Sequence, residues 1–327
     1  MSSVHPASDV VRILHMSDTH NLHRTIGVLP EADILLHTGD FSEEGTDKEF
    51  EDFDAWLGEL RQQYPKLQHI IVIPGNHDWR QSIRNAWNKK EDPRELLKKE
   101  FMKQKLPNAT VLIHEEMTVC GLRIFGSSWD PWLDSHNPEN GPSAQNREHL
   151  NMMWEALADA QATHNYGVIP PGVHILLTHG PPRKVLDCIG NKESYGSSKA
   201  LRAQIMAVRP QVHLFGHLHE QRGAYYKLPF DGSFAGGVEY ELEPGKTGPF
   251  ETVEVPPPEY PCELICNTAM KNNDGLEGRI GEEYLAGPPR LILARKVSGQ
   301  TASGDRARWQ FALASVVASF GVLQDGR

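Results

Sequence analysis

Short apolar runs recur along the chain, and five of them stop at clusters of small and polar residues. Val11–Met16 ends at Ser17-Asp18-Thr19-His20, Ile34–His37 at Thr38-Gly39-Asp40, and His69–Ile73 at Pro74-Gly75-Asn76-His77-Asp78. Farther on, His174–Leu177 ends at Thr178-His179-Gly180 and Val212–Phe215 at Gly216-His217-Leu218-His219. Runs this short, bounded by turn residues, predict buried strands. More strands are expected over Thr110–Ile113, Met117–Cys120, Leu122–Phe125, Glu263–Cys266 and Arg290–Ala294, with a Cys-Gly turn joining the Met117 and Leu122 strands. Phe50, Phe53, Trp56, Leu57 and Leu60 recur at helical spacing and predict a helix over Asp47–Leu60. Helices are also expected around Pro93–Lys105, Arg147–Gln161 and Ser198–Val208. Strands interleaved with helices make an α/β fold, and the carboxyl ends of such strands are where ligands bind.

Composition narrows the partners. The chain has 327 residues, 39% hydrophobic and 23% charged, as in ordinary globular proteins. A net charge of −10 without a basic run excludes long nucleic acid as an expected partner. A small anionic substrate stays compatible, because bound dications reverse the local field. Cys120, Cys188, Cys262 and Cys266 form neither a C-x-x-C pair nor a disulfide framework. The first residues lack the pattern of a signal peptide. The longest apolar stretch, Phe311–Leu323, is too short to span a bilayer. A cytoplasmic protein without a transmembrane segment is therefore expected. The chain divides into an N-terminal extension (residues 1–10), one domain (11–297) and a tail (298–327). The tail's apolar segment reads equally as a docking helix or as cover for the core. Oligomeric state is left open.

Asp-x-His and Gly-Asp are weak signals alone, whereas Gly-Asn-His-Asp and Gly-His-Leu-His after strands are more specific. In this order the five clusters resemble the calcineurin-like metallophosphoesterase superfamily. His179-Gly-Pro-Pro-Arg-Lys-Val-Leu-Asp187 and, more loosely, Cys266-Asn-Thr-Ala and Gly287-Pro-Pro place it nearest the metallophosphoesterase-domain-containing (brain 239 protein) branch. The resemblance covers about Val11–Ala294 and implies a two-sheet α/β/β/α sandwich of the metallo-dependent phosphatase type. It implies two divalent metal ions, one held by Asp18, His20, Asp40 and His219, the other by Asp40, Asn76, His179 and His217, with Asp40 bridging. Imidazole and carboxylate without sulfur suit Mn²⁺, Fe, Zn or Ni, and Mn²⁺ is the working expectation from the resemblance. Such metals lower the pKa of water from about 15.7 to roughly 7, supplying a hydroxide that attacks phosphorus. His77 is implied as the group that stabilises phosphoryl oxygens and protonates the leaving alkoxide. Asp78 is expected to orient His77 and favour its cation.

The expected activity is hydrolysis of a small phosphate ester, foremost a phosphodiester such as a cyclic nucleotide. A metalloenzyme of specialised non-phosphate chemistry and a weakly active or non-catalytic binding module are the competing readings. A Ser/Thr phosphatase is disfavoured because Gly39-Asp40 is followed by Phe41-Ser42-Glu43-Glu44-Gly45, whose glutamates are expected to repel a phosphoprotein. His15, His37, His69, His174 and His213 fall in or beside strand runs and read as structural. His23 and Arg183 are candidates to touch substrate. Trp129 and Trp132, in the loop after the Phe125 strand, either pack that loop or stack on a base.

Overall fold

The computed structural model describes residues 10–89, 99–128, 169–183, 185–187, 199–226, 237–240, 261–271, 285, 289–297 and 308–314. The expected helix over Arg147–Gln161, the loop Asp130–Arg147, Trp129 and Trp132 lie outside these residues.

Two mixed sheets stack face to face. The first has the order β13-β12-β1-β2-β3-β4, from Arg308–Ala314 (β13), Arg290–Val297 (β12), Val10–Met16 (β1), Ile34–His37 (β2), His69–Val72 (β3) and Thr110–Val111 (β4). The second has the order β10-β9-β11-β8-β7-β6-β5, from Gly237–Tyr240 (β10), Gly223–Tyr226 (β9), Leu264–Asn267 (β11), Val212–Phe215 (β8), Ile175–Thr178 (β7), Leu122–Ser127 (β6) and Glu115–Val119 (β5). Successive residues of a strand point to opposite faces, so a strand buried on both sides reads as a continuous apolar run. Ile13, Ile34, Leu36 and Ile71 enter the core between the sheets with Ile175, Leu177, Val212 and Leu214. Their neighbours Leu14, Leu35, Ile70 and Val72 pack instead under helix α1, Asp47–Gln63. Phe125, Leu176, Phe215 and Ile265 form a third core on the outer face of the second sheet, under helix α4, Lys199–Val208. The result is the α/β/β/α sandwich.

Local signals explain the elements. Helix α1 buries Phe50, Phe53, Trp56, Leu57 and Leu60, the five residues of its apolar stripe. Thr46 starts it with a capping box, its hydroxyl accepting from Glu49 N while the Glu49 carboxylate accepts from Thr46 N at 2.7 Å. Cys120 and Gly121 turn β5 into β6 with φ of 51° and 79°, the two left-handed residues a tight hairpin needs.

Beyond β9 and β10, strands where none is expected, two further features depart from the sequence reading. Helix α2, Asn76–Lys89, begins inside the Gly-Asn-His-Asp cluster, where a loop is expected. Its side chains are mostly polar, and Trp79, 1% exposed, anchors it to the first core. The helix around Pro93–Lys105 is described only as α3, Lys99–Lys105. The second departure is β13, which lies beyond residue 297, in the segment read as a tail. It pairs antiparallel with β12 and sends Trp309 and Phe311 into the core between the sheets. The sheet therefore extends past the expected domain boundary, because the β12 edge would otherwise leave its ladder groups unpaired. Among the described residues no helix is long and apolar enough to cross a membrane.

Candidate metal centre

The loops after β1, β2, β3, β7 and β8 meet at one rim of the sandwich. Backbone hydrogen bonds lock them together. Asp18 N donates to Gly39 O at 2.9 Å, His20 N to Asp40 O at 3.0 Å, and Gly216 N to His179 O at 2.9 Å. Asp18, His20, Asp40 and His217 take left-handed backbone conformations, with φ of 54°, 40°, 53° and 69°. Residues other than glycine rarely adopt this region, and such strain clusters where a functional geometry is imposed. Two glycines are there for close approach. A methyl group on Gly75 would lie 2.6 Å from Asp40 N and 2.6 Å from His179 Cε1. One on Gly216 would collide with the Asp18 carboxylate and the Ser17 hydroxyl.

The seven residues expected as ligands converge. Asp18, His20 and His219 form one group of donor atoms, and Asp40, His179 and His217 a second. His219 Nε2 is 3.3 Å from Asp18 Oδ1. His20 Nε2 is buried without a hydrogen bond and points between Asp18 Oδ1 at 3.9 Å and Asp40 Oδ2 at 3.8 Å. In the second group His179 Nε2 is 3.1 Å from Asp40 Oδ2 and 2.9 Å from Asn76 Oδ1. His217 Nδ1 is 3.0 Å from the same Asn76 oxygen. Asp40 lies beside both groups. Burial opposes charge on Asp40, but His179 and His77 outweigh it and hold the carboxyl well below the ordinary range. Buried carboxylates facing imidazole nitrogens, one of them with no hydrogen bond, fit divalent metal ions.

The remaining groups position these. His179 Nδ1 meets Thr38 O at 2.8 Å and His20 Nδ1 meets Glu43 Oε2 at 2.9 Å, so each ring presents its other nitrogen to the centre. Beneath the rim lie His–Thr pairs. His37 Nδ1 accepts from Gly39 N at 3.2 Å, which leaves Nε2–H to donate to Thr19 Oγ1 at 3.1 Å. One neutral imidazole thus ties the Asp18–His20 loop to the Asp40 loop. His15 contacts Thr38 and Thr268, and His213 contacts Thr178. Burial pushes the pKa of His37 and of His213 down to about 3. These three histidines are structural, as expected. His23 does not reach the site: it is fully buried against Phe53 and Trp56, with Nε2 3.1 Å from Asp52.

Asp78 does not play its expected part. Its carboxylate accepts from Gly75 N, Asp40 N, Ser42 N and Ser42 Oγ at 2.6–2.9 Å, and it makes no hydrogen bond to His77. Because α2 starts at Asn76, the Asp78 side chain turns back beneath the loop rather than along the His77 ring. Burial and the nearby Asp40 raise its pKa to about 7. Glu43 stands beside His77 in its place. His77 Nδ1 lies 2.7 Å from the Glu43 carbonyl and 3.3 Å from its carboxylate, and the backbone N of His77 donates to Asp40 Oδ1 at 2.7 Å.

The sequence reading missed Glu43, Lys271 and Arg80. Buried Lys271 reaches Glu43 Oε2 at 3.0 Å, and Arg80 meets Glu44 at 2.8 Å. Both glutamates are engaged by cations, so the expected repulsion of a phosphorylated substrate loses its basis. The position of Glu43, three residues after Asp40 in the same loop, was the one available signal. Lys271 arrives from a segment more than 200 positions away in sequence.

Comparison with known proteins agrees with this geometry. The human protein named metallophosphoesterase domain-containing protein 1 is 33% identical over 229 residues, covering 65% of this chain and 61% of that protein. The chain thus spans less than two thirds of the length of that relative. A UPF0046 protein of Caenorhabditis elegans is 30% identical over 230 residues, covering 66% and 53%. A protein of Nostoc named 3',5'-cyclic-nucleotide phosphodiesterase is 25% identical over 221 residues, covering 66% and 68%. Residues 11–221, which carry all the converging clusters, match the calcineurin-like phosphoesterase family, and the chain belongs to that family.

Proposed function

We propose that the chain is a dinuclear-metal hydrolase of small phosphate esters, with phosphodiesters of the cyclic-nucleotide kind as the first class to test. The observation that carries this reading is the position of Asp40, one carboxylate beside two groups of ligands with His77 fastened to it. One metal is assigned to Asp18, His20, Asp40 and His219, the other to Asp40, Asn76, His179 and His217. Metals bound there acidify water and polarise the phosphoryl group. Mn²⁺ is the ion to try first.

The chain's own residues supply the rest. Asp40 offsets the charge of both metals. His77 is assigned to the phosphoryl and leaving-group oxygens. Asp40 and Glu43 raise the His77 pKa against the effect of burial. The hydrogen bond from Arg80 to Nε2 instead requires a neutral ring, and this donor-only contact decides the resting state. Glu43 holds the His77 and His20 rings together through their Nδ1 atoms. The diester preference draws support from the Nostoc relative's name.

The experiment is turnover of bis-p-nitrophenyl phosphate by metal-stripped protein with and without Mn²⁺. Mn²⁺-dependent turnover is expected. It should fall about 10²–10⁴-fold in His77→Ala with metal content retained, the usual weight of general acid–base help. Asp40→Asn should weaken both metals and abolish turnover. Wild-type protein that holds two metals yet cleaves neither mono- nor diesters would overturn the reading.

A further inference from the structure

We propose that Arg80 is a substrate-binding residue whose guanidinium takes a phosphoryl oxygen at the Nε2 side of His77. This rests on the phosphoesterase reading and deepens it, by assigning a cationic donor of the chain to the substrate anion. Arg80 lies one turn after His77 on α2, a spacing that puts both side chains on one helix face. Its Nη2 is 2.9 Å from His77 Nε2, while Nη1 lies 3.1 Å from the Glu43 carbonyl and 2.8 Å from Glu44 Oε1. Arg84 donates to the other oxygen of Glu44, so the anchoring carboxylate is held from behind. The Arg80 side chain is 31% exposed and can be reached from solvent.

The hydrogen-bond chemistry fixes the roles. A guanidinium only donates, so His77 Nε2 accepts. A carbonyl only accepts, so His77 Nδ1 carries the proton toward Glu43 O. Both contacts demand the same tautomer. The ring nitrogen left for substrate is therefore covered by a fixed guanidinium. A simple surface ion pair with Glu44 would be worth little and would not need the second nitrogen of the fork. Here the fork is divided. Nη1 is anchored on the Glu43–Glu44 segment, and Nη2 is spent on an imidazole, a weaker acceptor than a phosphate oxygen. An anionic oxygen entering beside His77 replaces Nε2 as the acceptor and frees that nitrogen to take a proton from solvent, which it then passes to the leaving oxygen. Lysine cannot divide its charge in this way, because it offers one ammonium point.

The test is calorimetric titration of inorganic phosphate into Mn²⁺-loaded protein, using wild type, Arg80→Met, Arg80→Lys and Arg84→Met. Metal content and the unfolding midpoint are measured alongside. Loss of a charge-assisted hydrogen bond should weaken phosphate about 10–100-fold in Arg80→Met, with metal content unchanged. Arg80→Lys should recover only part of this, and Arg84→Met, which loosens the Glu44 anchor but leaves the Arg80 guanidinium in place, should weaken phosphate less than Arg80→Met does. With bis-p-nitrophenyl phosphate, Arg80→Met should raise KM more than it lowers kcat, the reverse of His77→Ala. Wild-type phosphate affinity in a fully metallated Arg80→Met protein would overturn the assignment and leave the phosphoesterase reading standing. A metallated wild type that neither binds phosphate nor cleaves esters would overturn both.

Discussion

Replacing Gly75 by alanine tests whether the site depends on backbone packing that no side chain can relieve. The added methyl would sit 2.6 Å from Asp40 N and 2.6 Å from His179 Cε1, where ordinary contact begins at 3.4 Å. The methyl would meet the Asp40 Oδ1 atom more closely still, so the overlap is at least about 0.8 Å on both sides. Neither neighbour yields cheaply. Asp40 N is backbone and donates to Asp78 at 2.8 Å, and His179 is held at Nδ1 by Thr38 O. The overlap must become displacement of the Asp40 carboxylate or of the His179 imidazole. Metal sites tolerate about 0.2 Å in ligand distance, and a shift near 1 Å costs about 10²-fold in rate. Overpacking of this size costs about 1–3 kcal/mol, less than a typical domain's stability of about 5–15 kcal/mol. The Gly75→Ala protein should fold, with a lower midpoint in urea, while binding less than its full metal complement and losing at least about 10²-fold in turnover. The assay pairs unfolding of metal-free protein with metal analysis and turnover of the loaded protein. Wild-type metal content and rate in Gly75→Ala would refute the close-packing argument.

Other outcomes follow from single contacts. Asp78→Asn leaves one acceptor oxygen and an NH₂ group facing four donors, so it should cost about 1–3 kcal/mol of stability in urea unfolding. Glu43→Gln should instead leave most of the stability and lower kcat, and the reverse pattern would return the orienting role to Asp78. Trp309→Ala should cost about 3–5 kcal/mol, since Trp309 is 3% exposed in the core between the sheets; a loss under about 1 kcal/mol would mean β13 is dispensable. Metal-free protein should lose stability as pH falls from about 6.5 toward 5. Burial depresses the pKa of His23 to about 4 and of His37 and His213 to about 3. Their unfolded forms bind protons near pH 6.5, so stability is complete above that value and is lost as the unfolded chain takes up protons, by about 2 kcal/mol per group at pH 5. Asp78, raised to about 7, works in the opposite sense over the same range and offsets about one of these three groups, so the net change remains a loss. A flat urea midpoint between pH 6.5 and 5 would refute neutral burial of these rings.

By itself the sequence determined most of the strands, the α/β class and the candidate ligands. Strand burial is written locally, as the apolar run Ile34-Leu35-Leu36 shows, because a strand covered on both faces needs no alternation. The candidate ligands were legible because they cluster with small residues directly after such runs, and the resemblance then supplied the expected pairing. The tertiary structure alone decided what holds them. Glu43 rather than Asp78 supports His77, because the start of α2 turns Asp78 under the loop, and a helix start two residues away is invisible to residue type. Lys271 and the Thr268–His15 contact come from chain segments separated by 228 and 253 positions, so nothing local announces them. The strand in the expected tail likewise depends on an open edge at β12, which exists only after the sheet has formed. Local chemistry names the residues able to bind a metal. Which nitrogen faces the centre, and which carboxylate is engaged elsewhere, depends on packing between distant segments.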